Sequence, residues 1–443
     1  MSTRSAVVVG GGFAGLTSAY YLRRAGWQVR LIEASGLVGG RVATVRRQGY
    51  TMDTGATQIS TGYTEYLALC AELGLSQEIV ASSQAIGFIR HGRIHVIDAR
   101  RPITAGFTPL LSWSAKLSTL KTLKDYRSLR PSIDVRDVSA HYAKDTMSAK
   151  TYAEKRLNRE VYDALIDPLL RAYVMNRASN VSVLEWFSTL GNLAGRNMIS
   201  INGGNDRLPL ALANGLDLRL STSAQSVRKI DRGVEIVIRT ASGAQDVLTA
   251  DTCVLATRLP EALAIYPPAR ELAGSLTQTL TYNRGLCIDV GYRLRPRNLA
   301  IGLLLGAVEH QQIGLIWAQH NKNPDRVPAG HSLFTVYFDE AINDQYFNAG
   351  DESLVDIAST YVERLFPELG GQRDLSHVTR WPLAIPNPAP GYYRQIHEMK
   401  ARIDPADRLQ LAGDYFTCVG QNSAIYYGKQ SAERLIRHHG QSR

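Results

Sequence analysis

The chain opens on an apolar run too short for a helix. Ser5 to Val9 reads as a buried strand, because Ala6-Val7-Val8-Val9 is apolar and rich in β-branched residues. Gly10-Gly11-Gly12-Phe13-Ala14-Gly15 follows. Leu16 to Ala25 then sets Leu16, Tyr20 and Ala19 or Leu22 on one side at helical spacing, which predicts a helix that Gly26 ends. Gln28 to Ile32 predicts a second strand closing on Glu33. Residues 223–230 and 234–238 read as paired strands about the turn Asp231-Arg232-Gly233. Residues 251–257 return as a buried strand ending in small residues, and Leu409-Gln410-Leu411 as another, ending in Ala412-Gly413-Asp414. A last helix is expected from near Asn422-Ser423-Ala424-Ile425 through Tyr426, Gly428 and Ala432. Residues 110–130 carry Leu110, Trp113, Leu117, Leu120 and Leu123 at helical spacing, among Lys116, Lys121, Lys124, Arg127 and Arg130. This reads either as a membrane-surface helix or as a domain helix with its basic side solvated; the second is expected.

The first four of these elements form one unit: strand, GxGxxG, helix, strand, acid. Gly10 permits the tight turn, Gly12 lets backbone approach a pyrophosphate, and Gly15 lets helix and strand pack closely. The N-terminus of this helix offers free N–H groups and a partial positive charge to phosphates, with Phe13 and Ala14 in the turn that leads into it. Glu33 can accept from a ribose 2′-hydroxyl. The unit therefore predicts dinucleotide binding.

Beyond Glu33 and Ala34, six residues on, stands Gly39-Gly40-Arg41, and then Met52-Asp53-Thr54-Gly55-Ala56-Thr57. This pattern resembles the flavin amine oxidase superfamily, which spans amine oxidases, protoporphyrinogen oxidases and phytoene-type desaturases. The resemblance implies FAD, probed by several parts of the chain: Gly40 and Arg41 by the pyrophosphate, Gly55, Ala56, Thr57 and Gln58 by the flavin ring. It also places Val227 by the adenine, Ala256 at the end of a cofactor strand, and Gly413 and Asp414 by the ribityl chain or phosphate. The N-terminal N–H groups around Asn422, Ser423, Ala424 and Ile425 would face the pyrimidine edge, where the helix dipole favours the anion formed on reduction. Pro168–Tyr173 with Asn180–Val183, Gly203–Pro209, Asn321–Pro324, Val327–Gly330, and Trp381–Pro386 with Pro390–Tyr392 look like the protoporphyrinogen oxidase-type branch.

The fold expected is α/β: a Rossmann-like FAD-binding domain of the glutathione reductase type, with an inserted α+β substrate domain carrying a mixed sheet and a helical part. Residues 1–80, 204–265 and 395–443 are assigned to the first, 81–203 and 266–394 to the second. With 44% hydrophobic and 20% charged residues, disorder is excluded as the main state. No apolar run reaches the length of a spanning helix and no secretory signal opens the chain, so a cytoplasmic protein is expected. The four cysteines have neither CxxC nor zinc spacing; reduced structural thiols and no metal are expected. The net charge of +10 suits acidic partners such as a carboxylate substrate, with Arg90, Arg93 and Arg284 available, while no nucleic-acid module is present.

FAD would supply the redox chemistry and the protein its orientation. The resemblance implies hydride removal from a cyclic small molecule to flavin N5, with oxygen, quinone or a carrier protein as acceptor. Departures from amine oxidases matter: Tyr282–Cys287 has no lysine, and of the two rings that would frame an amine, one matches Tyr392 while the other falls near Gly420. A protoporphyrinogen oxidase-like dehydrogenation is the leading expectation. Desaturation of a cyclic ketone or keto acid, with Tyr392 or Tyr426 among the candidate bases, amine oxidation, NAD-only dehydrogenation and a non-catalytic flavin protein are the alternatives. The FAD is expected to be non-covalent, although Cys418 lies near enough in sequence for a thioether to be considered.

Overall fold

A computed structural model describes residues 4–440 except 99, 102, 130–133, 135, 194, 339–344 and 418–419, with the side chain of Ala105 also outside the description. Cys418 therefore lies outside the described residues. The expected strand Ser5–Val9 is the centre of a five-stranded parallel sheet. Its order is Asp217–Arg219, Gln28–Ile32, Ser5–Val9, Thr252–Leu255, Leu409–Leu411. Ala6 to Val9 and all of Thr252–Leu255 are buried, as strands covered on both faces must be. The helix Phe13–Arg24 covers one face through Leu16, Ala19 and Leu22, none of them exposed. Tyr20 is turned aside, its hydroxyl donating to Glu72 at 3.3 Å. Gly26 leaves the helix at φ 84°, which a side chain resists.

An antiparallel meander, Thr222–Ile230, Gly233–Thr240 and Gln245–Ala250, is inserted before the fourth strand of this sheet. Its first turn is the one expected at residues 231–233, with Ile230 opposite Gly233. A second, seven-stranded sheet is mixed. Its order is Arg373–Pro386, Tyr282–Tyr292, Ser332–Phe338, Ile313–Ala318, Ala300–Leu305, Ala85–Arg90, Arg93–Asp98. Only the pairing of Ala300–Leu305 with Ala85–Arg90 is parallel. Helices between residues 113 and 193 form the helical part beside it. The fold is α/β, a Rossmann-like dinucleotide unit joined to an α+β unit with a mixed sheet.

The helix Trp113–Leu129 corrects one expectation. Its buried residues are Ala115, Ser118, Thr122 and Tyr126, while Trp113, Leu117 and Leu120 are 72%, 66% and 57% exposed. The apolar stripe faces outward. The inner face is chosen by fit: Thr122 accepts a hydrogen bond from the Trp186 indole at 2.9 Å.

Candidate functional site

The glycine turn is shaped by contacts that leave no room for side chains. A Cβ on Gly15 would stand 1.9 Å from the Gly10 carbonyl oxygen, and one on Gly10 would stand 2.7 Å from that of Ala256. Gly12, by contrast, has nothing within 4 Å of where its Cβ would be, so its face is open to a ligand. Gly40 approaches from the other side, its missing Cβ 3.2 Å from the Gly12 Cα. The Gly39 N–H donates to the Gly11 carbonyl at 2.8 Å, which fixes the Gly39-Gly40-Arg41 turn over the first one. Phe13 and Ala14 are buried at the start of the first helix. Glu33 closes this end: its carboxylate accepts from the Gly11 N–H at 2.6 Å and the Ser35 N–H at 2.8 Å. Ala34 beside it is exposed, and Val227 on the meander is buried.

Arg41 points toward the C-terminal strand. It donates to the Ala384 carbonyl at 2.6 Å and to Asp414 Oδ2 at 2.7 Å. Burial opposes its charge, but the Asp414 carboxylate more than offsets that and holds its pKa above the usual value. The other oxygen, Asp414 Oδ1, is buried with no hydrogen-bond partner. Such an atom calls for a donor. Gly413 has no room for a side chain, since a Cβ would lie 2.4 Å from the Tyr415 ring. The last helix, Gln421–His439, begins at Gly420 and packs against the first; a Cβ on its Gly428 would stand 2.3 Å from the Ala14 carbonyl oxygen. Ser18 bridges the two helices, donating toward the Ala14 and Gly428 carbonyls at 2.8 Å each.

Between these ends runs the segment Thr54–Gln58, and five consecutive carbonyls of it are held by side chains from distant parts of the chain. The Trp381 indole donates to the Thr54 carbonyl at 2.7 Å and the Tyr337 hydroxyl to that of Gly55 at 3.1 Å. Asn205 Nδ2 donates to both Ala56 and Thr57 at 3.0 Å. Lys322 Nζ also reaches the Thr57 carbonyl. Gln421 Nε2 donates to Gln58 at 3.0 Å, and its Oε1 is buried without a partner. Gln58 Nε2 in turn donates to the Tyr173 hydroxyl at 2.9 Å, tying the segment to the helical part.

Behind Thr57 lies a buried charge cluster. Asp53, wholly buried, faces Lys322 Nζ at 3.2 Å and Arg326 at 3.1 Å. It also accepts from the Thr44 hydroxyl at 2.8 Å and the Asn205 N–H at 2.9 Å. Burial opposes its charge, but Arg326, then Lys322, hold the carboxyl below its usual range. Burial pulls the Lys322 amine down to about 8 against the attraction of Asp53. In the second sheet Asp289 is also buried; burial pushes its carboxyl up to about 7, although the Thr335 hydroxyl donates to it at 2.5 Å.

The expected site residues thus fall into two groups. Gly10, Gly12, Phe13, Ala14, Gly15, Glu33, Gly40, Arg41, Ala256, Gly413 and Asp414 meet at the ends of the parallel strands. Gly55, Ala56, Thr57 and Gln58 are tied to Gln421 at the start of the last helix. Ser423, Ala424 and Ile425 follow in its first turn, and Asn422 takes a different part: its Oδ1 accepts the N–H groups of Glu65 and Tyr66, capping another helix. Tyr392 is buried and donates its hydroxyl to the Tyr415 carbonyl at 3.1 Å. Tyr426 stands under the Arg136 guanidinium, and burial raises its pKa, opposite to what a base needs. Arg90 is paired with Glu160 at 3.1 Å. Lys322, Arg326, Asn205, Tyr337 and Gln421 carry weight that the sequence reading assigned to none of them. The signal for Lys322 and Asn205 was their place in chain segments matched only as pattern, and Arg326 falls just between two such segments.

These features fit FAD. The open face of Gly12, the unpaired Asp414 Oδ1 and the unpaired Gln421 Oε1 are observations that a dinucleotide bearing hydroxyls and ring N–H groups answers. Among the described residues no cluster of His, Cys, Asp and Glu could hold a metal ion, and no helix is long and apolar enough to cross a membrane. Cys70, Cys253 and Cys287 are buried free thiols.

The fold and this site define an FAD-dependent oxidoreductase. Residues 13–436 match the family described as flavin containing amine oxidoreductase, and the chain belongs to it. Coproporphyrinogen III oxidase of Bacillus subtilis (strain 168) is 22% identical over 97% of this chain and 97% of that protein. Protoporphyrinogen oxidase 2, chloroplastic/mitochondrial, of Arabidopsis thaliana is 29% identical over 53% of this chain and 44% of its own length. Among solved structures, cyclohexylamine oxidase from Brevibacterium oxydans IH-35A shares the fold at TM-score 0.79, with 17% identity over 99% of this chain and all of that one.

Proposed function

We propose that this enzyme oxidises a cyclic tetrapyrrole precursor of the coproporphyrinogen or protoporphyrinogen type toward its aromatic porphyrin. The kinship with coproporphyrinogen III oxidase over 97% of both chains carries this reading. The site agrees with it. Amine oxidases frame a small amine between two rings; here Gly420, at φ 143°, offers no ring, and the Tyr392 hydroxyl is committed to the Tyr415 carbonyl. A broad tetrapyrrole macrocycle needs the space that such a frame would fill. The net charge of +10 suits its carboxylate side chains.

FAD, when bound, supplies the two-electron acceptor. In this reading Glu33 receives the ribose hydroxyls, with Ala34 and Val227 beside the adenine. Gly10, Gly12, Gly15 and Gly40 admit the pyrophosphate to the N–H groups of Phe13 and Ala14, and Arg41 adds its charge. Asp414 Oδ1 accepts from the ribityl chain next to Gly413. Gly55 to Gln58 line the ring, with Ala256 below the turn and the helix start at Ser423 to Ile425 toward the pyrimidine edge. The fixed carbonyls of Thr54–Gln58 hold that wall rigid, so no side chain must reorganise during turnover. Neither Tyr392 nor Tyr426 is given a catalytic part.

Anaerobic bleaching of the bound flavin tests the proposal. Coproporphyrinogen and protoporphyrinogen should bleach it rapidly, each flavin taking two of the six electrons that separate porphyrinogen from porphyrin, and porphyrin fluorescence should follow once an acceptor restores turnover. Primary and secondary amines and cyclic keto acids should not. Bleaching by an amine or a keto acid, with the porphyrinogens inert, overturns the proposal. Admitting oxygen after bleaching, and then a quinone, identifies the acceptor.

A further inference from the structure

We propose that Lys322 raises the reduction potential of the bound flavin from behind the Thr54–Gln58 wall, acting through the peptide that joins Thr57 to Gln58. This rests on the reading that Gly55 to Gln58 line the ring, and not on the choice of substrate. The two sides of the wall differ. Behind it, Asn205 Nδ2 donates to the carbonyls of both Ala56 and Thr57, and Lys322 Nζ adds a second donor at Thr57. A trans peptide points its N–H opposite to its carbonyl. Two carbonyls turned back to one nitrogen therefore send the N–H groups of Thr57 and Gln58 the other way, where they donate to no described residue. Ala56, between the buried Thr54 and Thr57, is exposed, so open space borders the wall. Unpaired N–H groups in such a segment call for an acceptor, and two in succession favour one that carries negative charge.

The charge behind the wall has the matching sign. In the proposed oxidation the substrate gives up two electrons and one proton as hydride and releases a second proton to water, so the flavin site gains one negative charge. Lys322 and Arg326 set two positive charges against the single negative one of Asp53, all three buried. Asp325, 3.7 Å from Arg326, is 35% exposed and screened by water. Arg326 turns its donors to Asp53, the Ser200 hydroxyl and the Ile201 carbonyl, so of the two cations Lys322 is the one that reaches the wall. A cation on a carbonyl polarises its peptide and strengthens the N–H at the other end. Lys322 is thus a positioning residue that acts through backbone. Its charge can also be removed in solution, because burial pulls the amine down to about 8 against the attraction of Asp53. Asp53, Arg326 and Asp325 are the charged groups that act on it; Asp289, which feels Asp53 from the second sheet, titrates in wild type and variants alike and cancels between them.

The test is the flavin midpoint potential of the holoenzyme, read against reference dyes at pH 7 and 9.5. At pH 7 Lys322→Met should disfavour the reduced flavin about tenfold relative to wild type, a drop of about 30 mV for a two-electron couple. At pH 9.5, where the wild-type amine has lost its proton, the gap should shrink below about twofold. Lys322→Arg, charged at both pH values, should match the wild type at pH 7 and stay above it at 9.5; this pair carries the test if the methionine variant loses its flavin. Equal potentials at pH 7 for wild type and Lys322→Met overturn the proposal. So does a gap that stays the same at both pH values, which would mean that shape and not charge is responsible. Ala56→Leu separates the underlying reading: it should alter the flavin's visible spectrum. An altered spectrum with no effect of Lys322→Met overturns the proposal alone; an unaltered one overturns the placement of the ring, and the proposal with it.

Discussion

Lys322→Met isolates the cost of holding a charged amine behind the Thr54–Gln58 wall. In the unfolded chain this amine keeps its proton up to about pH 10.5, and in the folded protein only up to about 8. Between those values the unfolded chain binds the extra proton, so the native state gains stability as pH rises. At about 1.4 kcal/mol per pH unit, the whole window is worth about 3 kcal/mol. Below pH 8 both states are protonated and the penalty is fully present; above 10.5 it is gone. Methionine fills similar space without titrating, while Asp53 keeps Arg326, Thr44 and Asn205 and the Thr57 carbonyl keeps Asn205. The assay is urea unfolding of both proteins, with saturating FAD, at pH 7.5, 8.5 and 9.5. The wild type should gain about 2 kcal/mol on the variant from the first pH to the last. Parallel pH profiles would refute the reasoning, because they would mean that Asp53 keeps Lys322 charged throughout.

Asp289→Asn works with the opposite sign. The buried carboxyl, raised to about 7, binds a proton in the folded state that the unfolded chain has lost above its usual range near 3.8. The wild type therefore loses stability from about pH 4 to 7, and the variant should be the more stable by a few kcal/mol at pH 8 and equal to it at pH 4 by chemical unfolding. Gly428→Ala forces a methyl onto the Ala14 carbonyl, 2.3 Å away, and should cost about 1–3 kcal/mol along with weaker FAD retention, read by melting temperature and flavin content. Asp414→Ala leaves Arg41 without its carboxylate and should weaken FAD binding by roughly tenfold or more in equilibrium dialysis, the apoprotein staying folded by circular dichroism.

What could be read from the chain was what local spacing encodes. The strand Ser5–Val9, the glycine turn, the strand Gln28–Ile32 and the hairpin about residues 231–233 each depend on a few adjoining residues, and they stand where the pattern put them. Lys322 and Asp53 are 269 positions apart, and nothing in either neighbourhood encodes their meeting. The same holds for Trp381 and Gln421, whose donors reach carbonyls more than 300 residues upstream. The helix at Trp113 shows a different limit. Periodicity finds a stripe, but which side is buried depends on the neighbour, and here Trp186 offers an indole N–H that a threonine, not a leucine, can receive.

The parallel sheet takes its strands from residues 5–9, 28–32, 217–219, 252–255 and 409–411, and its last strand leads into the helix that clasps the first through Gly428. During synthesis on the ribosome, then, the dinucleotide turn emerges almost at once but stays half-built until nearly the whole polypeptide has been made. The second sheet must form meanwhile beside an unfinished partner. Flavin capture is consequently expected late in the life of each molecule: a chain that stops short of the last helix has made most of its mass but lacks Gln421 and the helix that packs on the dinucleotide turn.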